Sequence, residues 1–165
     1  MILVPFVFIL LGHTIPAHAG LIGPGSGSAT VTPATAVVDT PGTWTFVYDP
    51  DDNFTNGTIV LTVPAGWTAP QVSNPSAPGY VTATNNHTAV LTLGAAGQSV
   101  TISVDDLPEP KLVTIVYGDD SGGANPGARA VPPSTADPTS EFLIESDPTG
   151  DAPSPIADSP PVTLE

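Results

Sequence analysis

Ser99-Val100-Thr101-Ile102-Ser103-Val104-Asp105 is the stretch from which the fold is read. Its three branched apolar residues alternate strictly with hydroxyls and a carboxylate. Successive side chains of a strand point to opposite faces, so this pattern puts Val100, Ile102 and Val104 on one side and the polar set on the other. On a helix, with 3.6 residues per turn, the same three residues would spread around the cylinder. A half-buried strand with one wet face is therefore predicted. The same period recurs on both sides of it. Thr43 to Tyr48 puts Trp44, Phe46 and Tyr48 on one face, Thr58 to Val63 does so with Ile59, Leu61 and Val63, and Lys111 to Tyr117 with Val113, Ile115 and Tyr117. Ser140 to Ser146 alternates Phe142 and Ile144 with Glu141 and Glu145, while Ser159 to Leu164 offers Val162 and Leu164. Tyr80 to Thr84 and Thr88 to Leu93 flank Asn85-Asn86-His87, and asparagines that tolerate positive φ lead us to expect a tight hairpin there. Ala29 to Val38, broken by Pro33, supplies an opening strand.

Helix signals are absent, and Gly, Pro, Asn and Asp clusters separate the candidate strands. The expected fold is therefore all-β: an antiparallel two-sheet Ig-like sandwich of seven to nine strands. A closed barrel is the alternative. Pro33, Pro64, Pro108 and Pro110 fall at strand ends or breaks, which edge strands and corners accommodate and a barrel without edges does not. Gly118 to Ala136 is the longest irregular stretch, with Gly122-Gly123, Pro126, Gly127 and Pro132-Pro133.

The chain has 165 residues, no cysteine, and a formal net charge of -14 from 16 acidic residues against Lys111 and Arg129. So strong a negative balance leaves no positive footprint for a phosphate backbone or anionic lipid, which excludes nucleic-acid binding and polybasic membrane attachment. Met1 to Leu11 is an apolar run, and Ala17-His18-Ala19-Gly20 follows it as an Ala-x-Ala site, the pattern of a secretory signal peptide. The run is shorter than the ~20 residues of a membrane span. Residues 1–19 are expected to be removed, leaving no membrane span, with 20–27 as a flexible glycine-rich leader and 28–165 as one sandwich domain. The product is then extracellular or at the cell surface, and without disulfides it must rest on its core.

Thr-Trp-Thr-Phe-Val-Tyr (43 to 48), Asn-Gly-Thr-Ile-Val-Leu-Thr-Val-Pro-Ala-Gly-Trp-Thr-Ala-Pro (56 to 70), Pro-Gly-Tyr-Val-Thr (78 to 82) and Val-Thr-Ile-Val-Tyr-Gly-Asp (113 to 119) carry a resemblance. Together with the closing Ser-Pro-Pro-Val-Thr-Leu they resemble bacterial and archaeal extracellular Ig-like repeat modules of adhesin-like or S-layer-like surface proteins. The resemblance spans nearly all of Gly27 to Leu164 and is architectural, with no catalytic signature. It implies neighbouring modules of the same polypeptide as partners, and a glycine leader at one end with a final strand flush with the other leads us to expect that the natural polypeptide continues beyond Glu165. An isolated module is expected to be a monomer.

The motifs that could carry chemistry are few. Asp120-Ser121-Gly122-Gly123 matches the string around the nucleophile of chymotrypsin-like proteases, which needs a histidine to take the serine proton. After leader removal only His87 is left, in a turn, so a glycine-rich turn is the simpler reading. Acidic loops at Asp49-Pro50-Asp51-Asp52-Asn53, Asp105-Asp106 with Glu109, Asp119-Asp120, and Asp147 with Asp151 raise calcium, which binds six to eight oxygens. None has EF-hand spacing, and a solvated acidic surface is the simpler reading. One histidine and no cysteine give no argument for a transition metal. Neither a metal nor another cofactor is expected, and no catalytic residue is assigned. Trp67 and Tyr80 are the candidate ligand residues, as a sugar-stacking platform. Asn53-Phe-Thr55, Asn56-Gly-Thr58 and Asn86-His-Thr88 fit the N-glycosylation sequon, a triplet that chains rich in Asn, Gly and Thr generate by chance. The expected function is a secreted, non-catalytic structural or adhesive spacer, not an enzyme. The alternative is a carbohydrate-binding module that holds cell-surface glycans through Trp67 and Tyr80.

Overall fold

The computed structural model describes residues 25–122, 129–134 and 140–165. The leader 1–19 and the first residues of the glycine segment lie outside the described residues. Among the described residues every regular element is a strand: β1 Ser28–Thr32, β2 Thr35–Ala36, β3 Trp44–Asp49, β4 Phe54–Thr62, β5 Val81–Asn85, β6 Leu91–Ala96, β7 Ser99–Leu107, β8 Val113–Tyr117, β9 Ser140–Glu141, β10 Leu143–Asp147, β11 Ser154–Pro155 and β12 Pro161–Leu164. Two main sheets form, one ordered β1-β3-β8-β5 and the other β11-β10-β4-β7-β6, with antiparallel neighbours throughout. A small third sheet, β2-β12-β9, contains a parallel pair between β2 and β12.

The alternation read from the sequence explains why the sheets face each other. Trp44, Phe46 and Tyr48 of β3 and Val113, Ile115 and Tyr117 of β8 are buried, as are Ile59 and Leu61 of β4 and Val100, Ile102 and Val104 of β7. They form a single apolar cluster between the sheets, while Thr101, Ser103 and Asp105 lie exposed on the outer face of β7. Aromatic rings bridge the layers: Phe46 meets Phe142 at 5.0 Å between centroids, and Tyr48 meets Phe54 edge-on at 6.1 Å. Offset and edge-on arrangements of this kind suit the ring quadrupoles.

Four elements differ from the sequence expectation. The Asn85-Asn86-His87 turn is a corner rather than a hairpin, because β5 pairs with β8 in one sheet and β6 with β7 in the other. Its asparagines act through their side chains: Asn85 Oδ1 accepts the His87 N–H at 2.9 Å, and Asn86 Oδ1 accepts the Leu112 N–H at 2.8 Å. The true hairpin joins β6 to β7 through Gly97-Gln98, where Gly97 at φ 59° opens a two-residue turn. Ser140 to Ser146 divides into β9 and β10 because the Phe142 N–H turns aside to the Pro160 carbonyl. The short β11 contains a proline and shows no alternation to be read.

The described end of the glycine segment is tied down. Gly25 N–H donates to the Ser146 carbonyl at 2.7 Å and Gly27 N–H to Asp51 Oδ2 at 3.1 Å. The Ser26 carbonyl accepts from both Tyr48 Oη and Ser146 Oγ, each at 2.8 Å. Since Tyr48 belongs to one main sheet and Ser146 to the other, this segment straps one flank of the sandwich shut.

Candidate functional site

The aromatic pair expected to stack on sugar is split by the structure. Trp67, in the loop after β4, is buried at 4% exposure, edge-on to both Trp44 and Phe142 at 4.9 Å. Its indole N–H donates to Ser140 Oγ at 3.1 Å, which satisfies the one polar atom that burial would otherwise strand. A ring enclosed on its faces has none to offer a ligand, so the sugar-platform role of Trp67 is corrected to a core role. Tyr80 is half-buried and lines a cleft of about 260 Å3 with Val72, Val81, Thr82, Ala83 and Leu93. The two residues are therefore not brought together as one platform.

Topology gathers most of the acidic loops at one pole. Asp49 ends β3, Asn53 precedes β4, Asp105 and Asp106 lie near the end of β7, and Asp147 ends β10 beside the paired Thr58. Two of the carboxylates there are engaged with backbone amides, although Oδ2 of the buried Asp147 has no partner among the described residues. Asp105 Oδ1 accepts the Val90 and Asp106 N–H groups, both at 2.7 Å, and Asp147 Oδ1 accepts the Thr149 N–H at 3.0 Å. Asn53 Oδ1 accepts the Glu109 N–H at 2.7 Å. At the opposite pole Asp119 accepts the Ser121 N–H at 2.9 Å and the Thr82 hydroxyl at 2.5 Å. Burial raises the Asp119 carboxyl, but these hydrogen bonds outweigh it and hold the group below its ordinary value. Side chains that cap loop amides in this way fix turns locally. Among the described residues no three His, Cys, Asp or Glu side chains form a group that could hold a metal ion.

The serine of the protease-like string is held away from His87, and Gly123 of that string lies outside the described residues. Asn86 bonds Leu112 just before β8, whereas Ser121 follows the far end of β8, so His87 and Ser121 sit at opposite poles. Ser121 is engaged in the Asp119 turn, and Asp120 pairs with Arg129 at 2.7 Å. A second cleft, of about 290 Å3, lies on the outer side of β4, β7 and β6 and is lined by Asn56, Thr58, Thr92, Ser103 and Asp105. Asp105 is its one titratable group, and Oδ1 of that carboxylate already serves two amides.

Tyrosine hydroxyls are likewise committed to structure. Burial, with a smaller contribution from the Asp51 charge, pushes the Tyr48 phenol up to about 12 against the pull of its hydrogen bonds. Burial alone pushes Tyr117 up, and its hydroxyl donates to the Thr68 carbonyl. Sequence reasoning missed the turn-capping role of the acids. The signal for it is the recurring Asp or Asn two residues before an amide in a turn, as in Asp119-Asp120-Ser121 and Asp147-Pro148-Thr149.

No family model and no curated protein matches the chain. Among the solved structures similar to it are two bacterial proteins. The crystal structure of the RrgA Jo.In complex is 10% identical, with 76% of this chain and 72% of that one covered at a TM-score of 0.49. BslA, described as a bacterial hydrophobin, is 18% identical, with 84% of this chain and all of that one covered (100%) at a TM-score of 0.44. Likenesses of this size carry no argument about activity, and the fold stands on the ladders and core described above.

Proposed function

We propose that the chain is a secreted, non-catalytic structural or adhesive module of a cell-surface protein, with neighbouring modules of the same polypeptide as its partners. The observation that carries this reading is how the reactive side chains are spent. Asp105, Asp119 and Asp147, which a glycosidase or a metal site would need free, each spend a carboxylate oxygen on backbone amides, and seven of the large aromatic side chains, Trp67 among them, are packed in the core. A sandwich whose loops are locked in this way resists proteolysis without disulfides, which suits a module that holds other parts away from an envelope. The apolar Met1 to Leu11 run and the Ala-x-Ala site before Gly20 support export. The alternative reading as a carbohydrate-binding module loses Trp67 to the core and has no observation in its favour. The experiment is recovery of the protein from its natural host: export predicts that it is found outside the cytoplasm and begins at Gly20.

A further inference from the structure

We propose that the free edge of β6 is a self-association site, at which a second copy of this chain adds its own β6 in antiparallel register to join the two five-stranded sheets. Three observations lead there. First, the two flanks of the sandwich are closed differently. One carries the Gly25 to Gly27 strap, whereas on the other β5 and β6 run along an open cleft and leave Leu91 and Leu93 only half-buried and Ala95 exposed.

Second, β6 is the unguarded edge. Edge strands are ordinarily blunted by proline, charge or shortness. Here β1 runs into Pro33, β11 is two residues with Pro155, and the start of β5 is bridged by Gln71, but β6 is six uncharged residues with no proline and no described strand beyond it. The Asp105 N–H donates to the Val90 carbonyl, which fixes the phase of the β6–β7 ladder. In an antiparallel ladder bonded and non-bonded pairs alternate, so the backbone groups of Leu91, Leu93 and Ala95 face outward. That set is symmetric about Leu93 and therefore self-complementary under a two-fold axis, with Leu93 opposite Leu93 and Leu91 opposite Ala95.

Third, charge selects a second copy and its direction. In a chain of net charge -14, no Asp, Glu, Lys or Arg occurs between Asn53 and Val104, a span that holds β5, β6 and all but the end of β7. Like-charged copies can therefore approach along this flank without opposing carboxylates on the edge strand itself. Parallel pairing would bring the two Asp105 ends together. Antiparallel pairing sets them apart by about six residues, or roughly 20 Å, beyond the ~8 Å screening length of physiological salt. A six-residue ladder is small beside a stable interface of about 1,200 to 2,000 Å2, so the association is reversible and concentration-dependent. This departs from the monomer expected of an isolated module.

Sedimentation velocity of the purified secreted protein, from micromolar to near-millimolar concentration, tests the proposal. A sedimentation coefficient that climbs toward that of a dimer is expected. Ala95→Pro removes an outward N–H without touching the β7 ladder, and should abolish the climb while leaving the melting curve in place. The absence of native cysteine allows the register to be read directly. Paired Cα atoms about 5.5 Å apart lie within disulfide reach, so Leu93→Cys should cross-link on oxidation. Val90→Cys, with its symmetry mate about 20 Å away, should not. A wild-type protein that stays monomeric throughout, an Ala95→Pro protein that still dimerises, or cross-linking at Val90→Cys equal to that at Leu93→Cys would each overturn the proposal.

Discussion

Trp67 and Asp119 show how single side chains hold this molecule without disulfides. Trp67 fills the space between Trp44, Tyr117 and Phe142 and spends its N–H on Ser140. Truncating a buried aromatic removes its transfer energy and leaves a cavity, so Trp67→Ala is expected to cost about 3 to 5 kcal/mol in urea unfolding. Tyr80→Ala, at a half-exposed position, should cost less. Asp119 acts through charge-assisted hydrogen bonds to Ser121 and Thr82. Its carboxyl is held below the usual value, so its contribution is full at neutral pH and is lost as pH falls from the ordinary range near 3.9 through the folded value. Asp119→Asn should therefore be less stable than wild type by roughly 1 to 2 kcal/mol at pH 7, and the gap should close toward pH 2. Melting curves of both proteins across that range check it. A gap that persists at pH 2 would assign Asp119 a packing role. The inward aromatics of β3 and β8 were legible in the sequence because period-two alternation marks them. Trp67 lies in a loop, where no period exists, and so its burial was not.

Among the elements, the segment Gly25 to Gly27 gives the sharpest contrast between composition and structure. Glycine density predicts a flexible leader, yet backbone carbonyls carry no sequence signal, and it is the Ser26 carbonyl that joins the sheets through Tyr48 and Ser146. A chain beginning at Ser28 leaves both hydroxyls without their acceptor. We expect it to be less stable than one beginning at Gly20 by about 2 to 6 kcal/mol, taking 1 to 3 for each buried hydroxyl that loses its partner. Equal denaturation midpoints for the two chains would show that the strap is dispensable. Strand positions were read well wherever alternation was clean, as in β7, whose start at Ser99 is the one expected. Pairing was read less well. Asn85 to His87 has hairpin composition, but whether a turn returns to the same sheet depends on which strand the next segment meets. That is a tertiary choice, made here by β7 pairing with β6.

For the whole molecule, the two-sheet architecture followed from the count and spacing of alternating segments, and the structure bears it out. The site was far less legible, because the roles of the acids depend on which amide each one reaches. Charge is also distributed unevenly over the fold: the acidic loops of β3, β7 and β10 gather at one pole, while the flank of β5 and β6 carries none. A strongly negative body with capped turns and a packed aromatic core suits the proposed role of a module outside the cell. The intact mass of the protein recovered from the extracellular and surface fraction of its natural host tests that claim most directly. A surface module gives a mass in which the chain starts at Gly20, with the same species accessible to protease added from outside. A protein that keeps Met1 and is found only inside the cell would refute it.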